Sequence, residues 1–321
     1  MKTKKKVVVI GAGIMGPGIA QVCAQAGHDT SILRRRPEFL QQTLEAIKSN
    51  LQMLIANGLI TNEEASETLR RIRAETDLVE AVKEADFVIE AIPEDMAAKK
   101  ALFKELDELC SSHTILASNT SSFSITEIAS VTSRPDKVVG THWWNPPHLM
   151  PLVEIVKGEQ TSDETVRITK DFVAGLGKIP VVCKDSPGFL GVRLQAALVL
   201  EAIRMLEEGL ATAEDIDMAV KLTLGLRLPI LGPLEIVDLG GMDTFLYAYS
   251  YLYNTLGERF KVPQLLKRKV ESNELGIKTG KGFYGYTSEK INEITRRRDQ
   301  WLIEQLKKLH AQMKAPQQKN K

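Results

Sequence analysis

The sequence predicts an α/β fold: a doubly wound sheet with an inserted helical hairpin in the N-terminal part, followed by an all-α domain. Three observations lead there. Short β-branched runs alternate with helical spacings as far as Asp185-Ser186-Pro187-Gly188; a glycine turn, GAGIMG, directly follows the first run; beyond Pro187 the β-branched runs vanish and apolar residues recur at helical steps. These place one domain at residues 1–186 and a second at 187–321, a division that suits 321 residues at roughly 100 to 200 per domain.

Val7 to Ile10 (VVVI) stops at glycine and reads as a buried parallel strand, and Ile19, Val22 and Cys23 give the next segment a helical face. Thr30 to Leu33 forms a second strand. Leu40, Leu44, Ile47, Leu51 and Leu54 then fall at steps of three or four, and Thr61 restarts a helix as its cap, so the pair makes the inserted hairpin. Residues 86–92, 114–118, 137–143 and 152–156 continue as short strands between helical stretches, and KIPVVCKD closes the sheet. In the second part Leu194, Leu198, Ile203 and Leu206 keep helical spacing, and RRRDQWLIEQLKKL is an amphipathic helix with Trp301, Ile303 and Leu306 among charges.

The charge balance, 42 basic against 41 acidic residues, excludes a global pull towards nucleic acid or anionic membrane. No apolar run is long enough to span a bilayer, and MKTKKKVVVIGAG lacks signal-peptide anatomy, so a cytoplasmic location is expected. Cys23, Cys110 and Cys183 are widely spaced without a CxxC pair, which argues against a disulfide framework and a structural zinc site. They are expected to be small buried residues, and no metal site is expected.

GAGIMG is a complete GxGxxG between a strand and a helix. In that frame Gly11 makes the tight turn, Gly13 lets backbone approach a pyrophosphate, Gly16 permits close helix-to-strand packing, and the helix start faces the phosphates. Pro17 is tolerated in the first turn. The acid that holds the adenine ribose of NAD stands about 20 residues on in such Rossmann-type domains. Here that stretch holds Arg34, Arg35 and Arg36; the nearest acids, Asp29 and Glu38, lie before the strand and after Pro37. Three fixed positive charges suit a 2′-phosphate, so NADP(H) is the favoured cofactor, with NAD(H) second. The bland alternative is a solvated basic turn.

Hydride transfer from a secondary alcohol needs a base for the hydroxyl proton, and imidazole serves in both directions near neutral pH. His142 ends a predicted strand at the carboxyl edge, where open α/β sheets bind ligands. Glu154, on the next strand, can orient the ring through its other nitrogen. Two alternatives stand beside this: His142 as a satisfied core group, and His148, which follows two prolines and fits a loop.

VVVIGAGIMGPGIAQ, EAIPEDMAAKKALFKEL, ASNTSSFSITEIA, GTHWWNPPHLMPLVEIV, CKDSPGFL and GIKTGKGFYGY together resemble the L-3-hydroxyacyl-CoA dehydrogenase family, including smaller relatives acting on free hydroxy acids. The resemblance runs in the family's order from residue 6 to about 286. It implies that His142 and Glu154 are the catalytic pair and that Ser121 bonds the reacting oxygen. It also implies that Gly11, Gly13, Ile14, Met15, Gly16, Glu94, Lys99 and Asn119 contact the cofactor, and that the C-terminal helices close over substrate and form a homodimer. The bland readings are a helix cap for Ser121, which Ser122 can equally supply near Ser124, and a surface pair for Glu94 and Lys99. Phe283 and Tyr284 are expected in the core rather than the site.

Two departures bear on substrate. Where the family has asparagine in PGFxxNR, this chain has Val192, which can neither donate nor accept a hydrogen bond, so apolar surface replaces one polar substrate contact. HWWNPP is bulkier than the family's HFFNP, and the hairpin is short, which favours smaller hydroxy acids. Lys48, Arg70, Arg71 and Arg73 can meet CoA phosphates but are more simply exposed helix charges. The expected function is thus an NADP(H)-linked oxidoreductase interconverting 3-hydroxyacyl and 3-oxoacyl compounds. The alternatives are a dehydrogenase or reductase of a non-CoA 3-hydroxy acid or other carbonyl compound, and a non-catalytic, crystallin-like dinucleotide-binding protein.

Overall fold

The computed structural model describes residues 4–34 and 36–314, with side chains to residue 310. It divides into two compact units, Met1–Val199 and Leu200–Lys321. In the first, β1 (Lys6–Ile10), α1 (Gly16–Gln25) and β2 (Asp29–Leu33) lead into the hairpin of α2 (Leu40–Ala56) and α3 (Asn62–Arg70). There follow β3 (Ile72–Glu75), α4 (Leu78–Val82), β4 (Phe87–Glu90), α5 (Met96–Leu109), β5 (Ile115–Ser118) and α6 (Ile125–Ala129). The remainder is β6 (Val138–Trp143), β7 (Leu152–Lys157), α7 (Asp163–Gly175), β8 (Ile179–Lys184) and the start of α8 (Gly191–Glu207).

The eight strands form one sheet in the order β3-β2-β1-β4-β5-β6-β7-β8. Every neighbouring pair is parallel except β6 and β7, so the sheet is mixed. Alternate side chains feed two cores: Val7 and Val9 join Ile19, Cys23 and Phe172 on one face, while Val8 and Ile10 join Phe103, Leu106 and Ile128 on the other. The hairpin has its own small core of Ile47, Leu51 and Ala65, and Thr61 with Glu64 forms a reciprocal capping box at the start of α3.

Several expectations change. β3 was not anticipated: IRAE is short and carries charges, as sheet-edge strands do, and its pairing to β2 overrides its weak strand propensity. Ser124, not Ser121 or Ser122, caps α6, its hydroxyl accepting from the Glu127 N–H at 3.1 Å. Cys183 is half-buried, whereas Cys23 and Cys110 are buried. Lys48 and Arg73 are exposed, while Arg70 and Arg71 pair with Glu67 of their own helix.

The second unit holds the second half of α8, then α9 (Ala213–Leu222), α10 (Leu224–Arg227), α11 (Pro233–Gly240), α12 (Met242–Leu256), α13 (Gln264–Glu271) and α14 (Ser288–Lys314). Met242, Val262 and Leu266 form its core with Phe283 packed on them. Asp238, fully buried, accepts from the Phe283 and Tyr284 N–H groups and the Tyr286 hydroxyl, each at 2.9 Å, and so pins the GKGFYGY turn. Tyr284 contributes its amide and leaves its ring 45% exposed, contrary to the core expectation. Among the described residues no helix is long and apolar enough to cross a membrane, and no cluster of His, Cys, Asp and Glu is placed to hold a metal ion.

Candidate active site

The glycine turn crosses the carboxyl edge of β1. Gly11 adopts φ +112°, and a Cβ there would stand 2.4 Å from the Ala91 carbonyl oxygen; one on Gly16 would stand 1.7 Å from the Gly11 carbonyl oxygen. Both must be glycine for the turn to lie against β4 and the helix start. A Cβ on Gly13 would meet nothing within 4 Å, so backbone is open there to an approaching ligand. α1 begins at Gly16 with no side-chain cap on Met15, which leaves its first N–H groups for an anion. Ile14 is 83% exposed beside this opening, and Met15 packs inward.

A cavity of 380 Å³, lined by residues such as Gly11, Ala12, Leu33, Arg34 and Ile92, adjoins the turn, and a second of 290 Å³ lies between Gly13, Ile14, Arg34 and Thr43. Turn, uncapped helix and adjoining slots fit a dinucleotide. Arg34 borders both cavities, but it is not a free phosphate ligand. Its Nη1 donates to the Ala12 and Phe39 carbonyls and the Thr43 hydroxyl at 3.2, 3.3 and 3.1 Å, and the guanidinium stacks on the Phe39 ring at 4.4 Å. Arg36 is exposed just before Pro37, and Arg35 lies outside the described residues.

His142 and Glu154 are direct cross-strand partners in the antiparallel β6·β7 register. Partners in a ladder share a face, and here His142 Nδ1 meets Glu154 Oε2 at 2.6 Å, with both side chains buried. Glu154 Oε1 accepts from the Leu190 and Gly191 N–H groups at 2.9 and 3.0 Å. Burial pulls the Glu154 carboxyl upward, but the bonds from His142, Gly191 and Leu190 outweigh it and hold it below the ordinary carboxylate value. An anionic Glu154 fixes hydrogen on Nδ1 and leaves Nε2 as the reactive nitrogen. Trp144 and Phe189 flank the imidazole at ring-centroid distances of 5.3 and 5.8 Å. A Cβ on Gly191 would strike Trp144 Cζ2 at 2.2 Å, so the indole requires that glycine.

Ser121 follows β5, the strand next to β6, and its N–H donates to Glu94 Oε1 at 2.6 Å. Asn119 Oδ1 accepts from the Trp143 N–H at 2.8 Å, tying the end of β5 to β6. Glu94 and Lys99 are not a surface pair. Lys99 is 1% exposed and lies between Glu90, fully buried at 2.6 Å, and Glu94 at 3.2 Å; Glu90 also accepts from the Ser118 hydroxyl and the Ile92 N–H. His148 lies in the loop after cis-linked Asn145-Pro146, half-buried, its pKa lowered by burial and then by Lys178. Val192, the second residue of α8, lies one residue beyond the amides on Glu154.

Sequence reasoning missed Glu90, Phe189, Trp144 and Gly191. Glu90 had a usable signal, an acid inside an otherwise apolar strand; the rest depend on turn geometry with no periodicity to announce it.

A glycine-turned sheet whose carboxyl edge presents an oriented imidazole defines a nicotinamide-dinucleotide-linked oxidoreductase. The chain belongs to the 3-hydroxyacyl-CoA dehydrogenase family. The family's patterns for "3-hydroxyacyl-CoA dehydrogenase, NAD binding domain" and "3-hydroxyacyl-CoA dehydrogenase, C-terminal domain" match residues 6–186 and 188–286. It is 42% identical to a 3-hydroxybutyryl-CoA dehydrogenase of Clostridioides difficile over 282 residues, covering 88% of this chain and 99% of the relative. A 3-hydroxyacyl-CoA dehydrogenase structure from Archaeoglobus fulgidus superposes with a TM-score of 0.77 at 38% identity, covering 93% of this chain and 98% of the other. The 5-formyl-3-hydroxy-2-methylpyridine 4-carboxylate 5-dehydrogenase of Mesorhizobium japonicum is 32% identical over 93% of this chain and 96% of its own.

Proposed function

We propose that the protein interconverts a 3-hydroxyacyl-CoA and its 3-oxo form. The observation that carries this is the 2.6 Å contact between His142 Nδ1 and Glu154, which leaves Nε2 to exchange the substrate hydroxyl proton. Glu154 orients the ring and stabilises imidazolium, and Ser121 bonds the reacting oxygen. The pyrophosphate is held at Gly11 to Gly16, with Glu94, Lys99 and Asn119 towards the nicotinamide half. The bound dinucleotide supplies or accepts the hydride. Residues 187–321 form the substrate-closing and dimerising part. The test is oxidation of NADH and NADPH by the purified protein with acetoacetyl-CoA; no turnover with either would defeat this reading.

NAD(H) is the cofactor implied by the matched domain. NADP(H) preference is the finer reading, supported by exposed Arg36 and by the absence of an acid in the stretch after Leu33. Arg34 supports it less than its sequence position implied, because backbone carbonyls occupy Nη1. The same assay decides: a kcat/KM with NADPH at or below that with NADH ends it.

Val192 favours a second reading, a non-CoA hydroxy acid or other carbonyl substrate, and the Mesorhizobium relative, by its name, acts on a pyridine carboxylate. If the CoA reading holds, Val192→Asn restores a donor near the reacting oxygen and should raise kcat/KM on acetoacetyl-CoA by about tenfold or more, given that one such donor is worth up to roughly 3 to 4 kcal/mol. No gain there, with activity on free 3-oxo acids, would favour the second reading. The non-catalytic alternative leaves the oriented His142–Glu154 pair without a use.

We also propose a homodimer through the second unit. Ile203, Leu206 and Leu210 near the end of α8 are 48%, 48% and 66% exposed, and Tyr247 and Tyr251 of α12 are 82% and 67% exposed. Apolar surface of this kind marks an interface. Light scattering should give about twice the chain mass of 35.6 kDa, and Tyr247→Lys with Ile203→Lys should halve it; a monomer at micromolar concentration would sink the proposal.

A further inference from the structure

We propose that the turn from Gly188 to Gly191 positions Glu154, with Phe189 as the residue that holds it in place. This deepens the reading of His142 as the base and rests on it. Phe189 is a bulky residue with φ +46°, in the left-handed region where such side chains carry strain, and it directly follows Gly188 at φ +73°. Its ring is 3% exposed, packed in the core face that holds Ile125, Val138 and Val156. Burial of that ring in the core face offsets the strain of the one residue. The conformation has a product: the next two N–H groups, of Leu190 and Gly191, both point at Glu154 Oε1.

The turn is fixed at both ends. Upstream, Asp185 Oδ2 accepts from the Ser124 hydroxyl, the Thr126 N–H and the Thr126 hydroxyl at 2.6, 2.9 and 2.7 Å, fastening the end of β8 to the start of α6. Downstream, Gly191 admits the Trp144 indole, which also flanks His142.

Two N–H dipoles aimed at one carboxylate oxygen draw negative charge towards it and make the other oxygen a weaker partner for imidazolium. They therefore divide the carboxylate between the turn and the imidazole, one oxygen to each. Other titratable groups around the pair do not supply this. Cys183 of β8 has its thiol pushed up to about 11 by burial and by Glu154 and Asp185, so it stays neutral; Asp185 is turned to Ser124 and Thr126; Arg193 on α8 is exposed, its Nη1 3.4 Å from the Ser186 hydroxyl. Loosening the turn should thus raise the pH at which His142 titrates.

The experiment follows the His142 imidazole by NMR titration of isotope-labelled protein in wild type, Phe189→Ala, Phe189→Gly and Phe189→Leu, beside pH profiles of kcat/KM. Phe189→Ala removes the ring but keeps the strain, Phe189→Gly removes both, and Phe189→Leu retains apolar cover over His142, whose ring lies 5.8 Å from that of Phe189. A further variant, Leu190→Pro, keeps the ring while deleting one N–H from Glu154, so an unmoved titration in Leu190→Pro would assign any rise in the others to uncovering of the imidazole and overturn the proposal. The Ala and Gly variants should titrate about 0.5 to 1 pH unit higher, with the acid limb of kcat/KM moving alike, the Leu variant lying between, and NADH affinity unchanged. An unmoved His142 titration in Phe189→Gly, even with lower thermal stability, would overturn the proposal and leave Phe189 a packing residue. His142→Ala separates the two readings: full turnover in that variant removes His142 as base, while the NMR titration still decides whether the turn sets its proton affinity.

Discussion

His142→Ala is expected to lower turnover of acetoacetyl-CoA by about 10³-fold while leaving NADH binding within about twofold, because a positioned acid–base group contributes roughly 10² to 10⁴. Binding should persist because the glycine turn belongs to β1 and α1, with β4 and β5 between β1 and the strand carrying His142. Glu154→Gln should fall between wild type and this variant. Its amide can still touch Nδ1, but it no longer balances imidazolium, and it can present N–H where an acceptor is needed, favouring the wrong tautomer. Stopped-flow measurement of NADH oxidation with NADH fluorescence titration tests both; equal losses of binding and turnover would show that His142 supports the fold rather than the chemistry.

That His142 and Glu154 could meet was legible from their places on successive predicted strands; that β6 and β7 run antiparallel, so that imidazole and carboxylate stand directly opposite, was not, because a doubly wound pattern announces parallel neighbours. The glycine turn was legible because Gly11 and Gly16 answer to steric limits that any strand-to-helix turn imposes. The contacts of Arg34 were not legible because composition shows charge but not its partners: Ala12, Phe39 and Thr43 of α2 accept from its Nη1. β3 escaped because an edge strand gains its pairing from β2 rather than from its own IRAE pattern. The division near 186 follows the loss of β-branched runs, whereas the compact units part after Val199 because the first turns of α8 pack with the sheet through Gly191 and Trp144.

The burial of Lys99 was invisible for a further reason: a lysine four residues into a helix is ordinarily solvated, and only Glu90 inside β4 makes its burial tolerable. Lys99→Met is therefore expected to destabilise the protein by about 3 to 5 kcal/mol, since it leaves Glu90 as an uncompensated charge in the interior. Replacing both partners, Glu90→Gln with Lys99→Met, should recover most of that loss. The glutamine oxygen can still accept from the Ile92 N–H, its amide can donate to the Ser118 hydroxyl, which turns to accept, and no net charge stays buried. Urea unfolding of the two variants tests this, and a single-variant loss below about 1 kcal/mol would show that Glu90 takes up a proton without cost. The recovered double variant should nonetheless remain slow. Lys99 also holds Glu94 at 3.2 Å, and Glu94 in turn receives the Thr120 hydroxyl and the Ser121 amide, so a chain of charge-assisted bonds runs from the interior of β4 to the residue proposed to bind the reacting oxygen. Stability restored without activity would separate the two roles of this lysine: neutralising a buried acid, which methionine and glutamine together can replace, and placing Ser121, which they cannot.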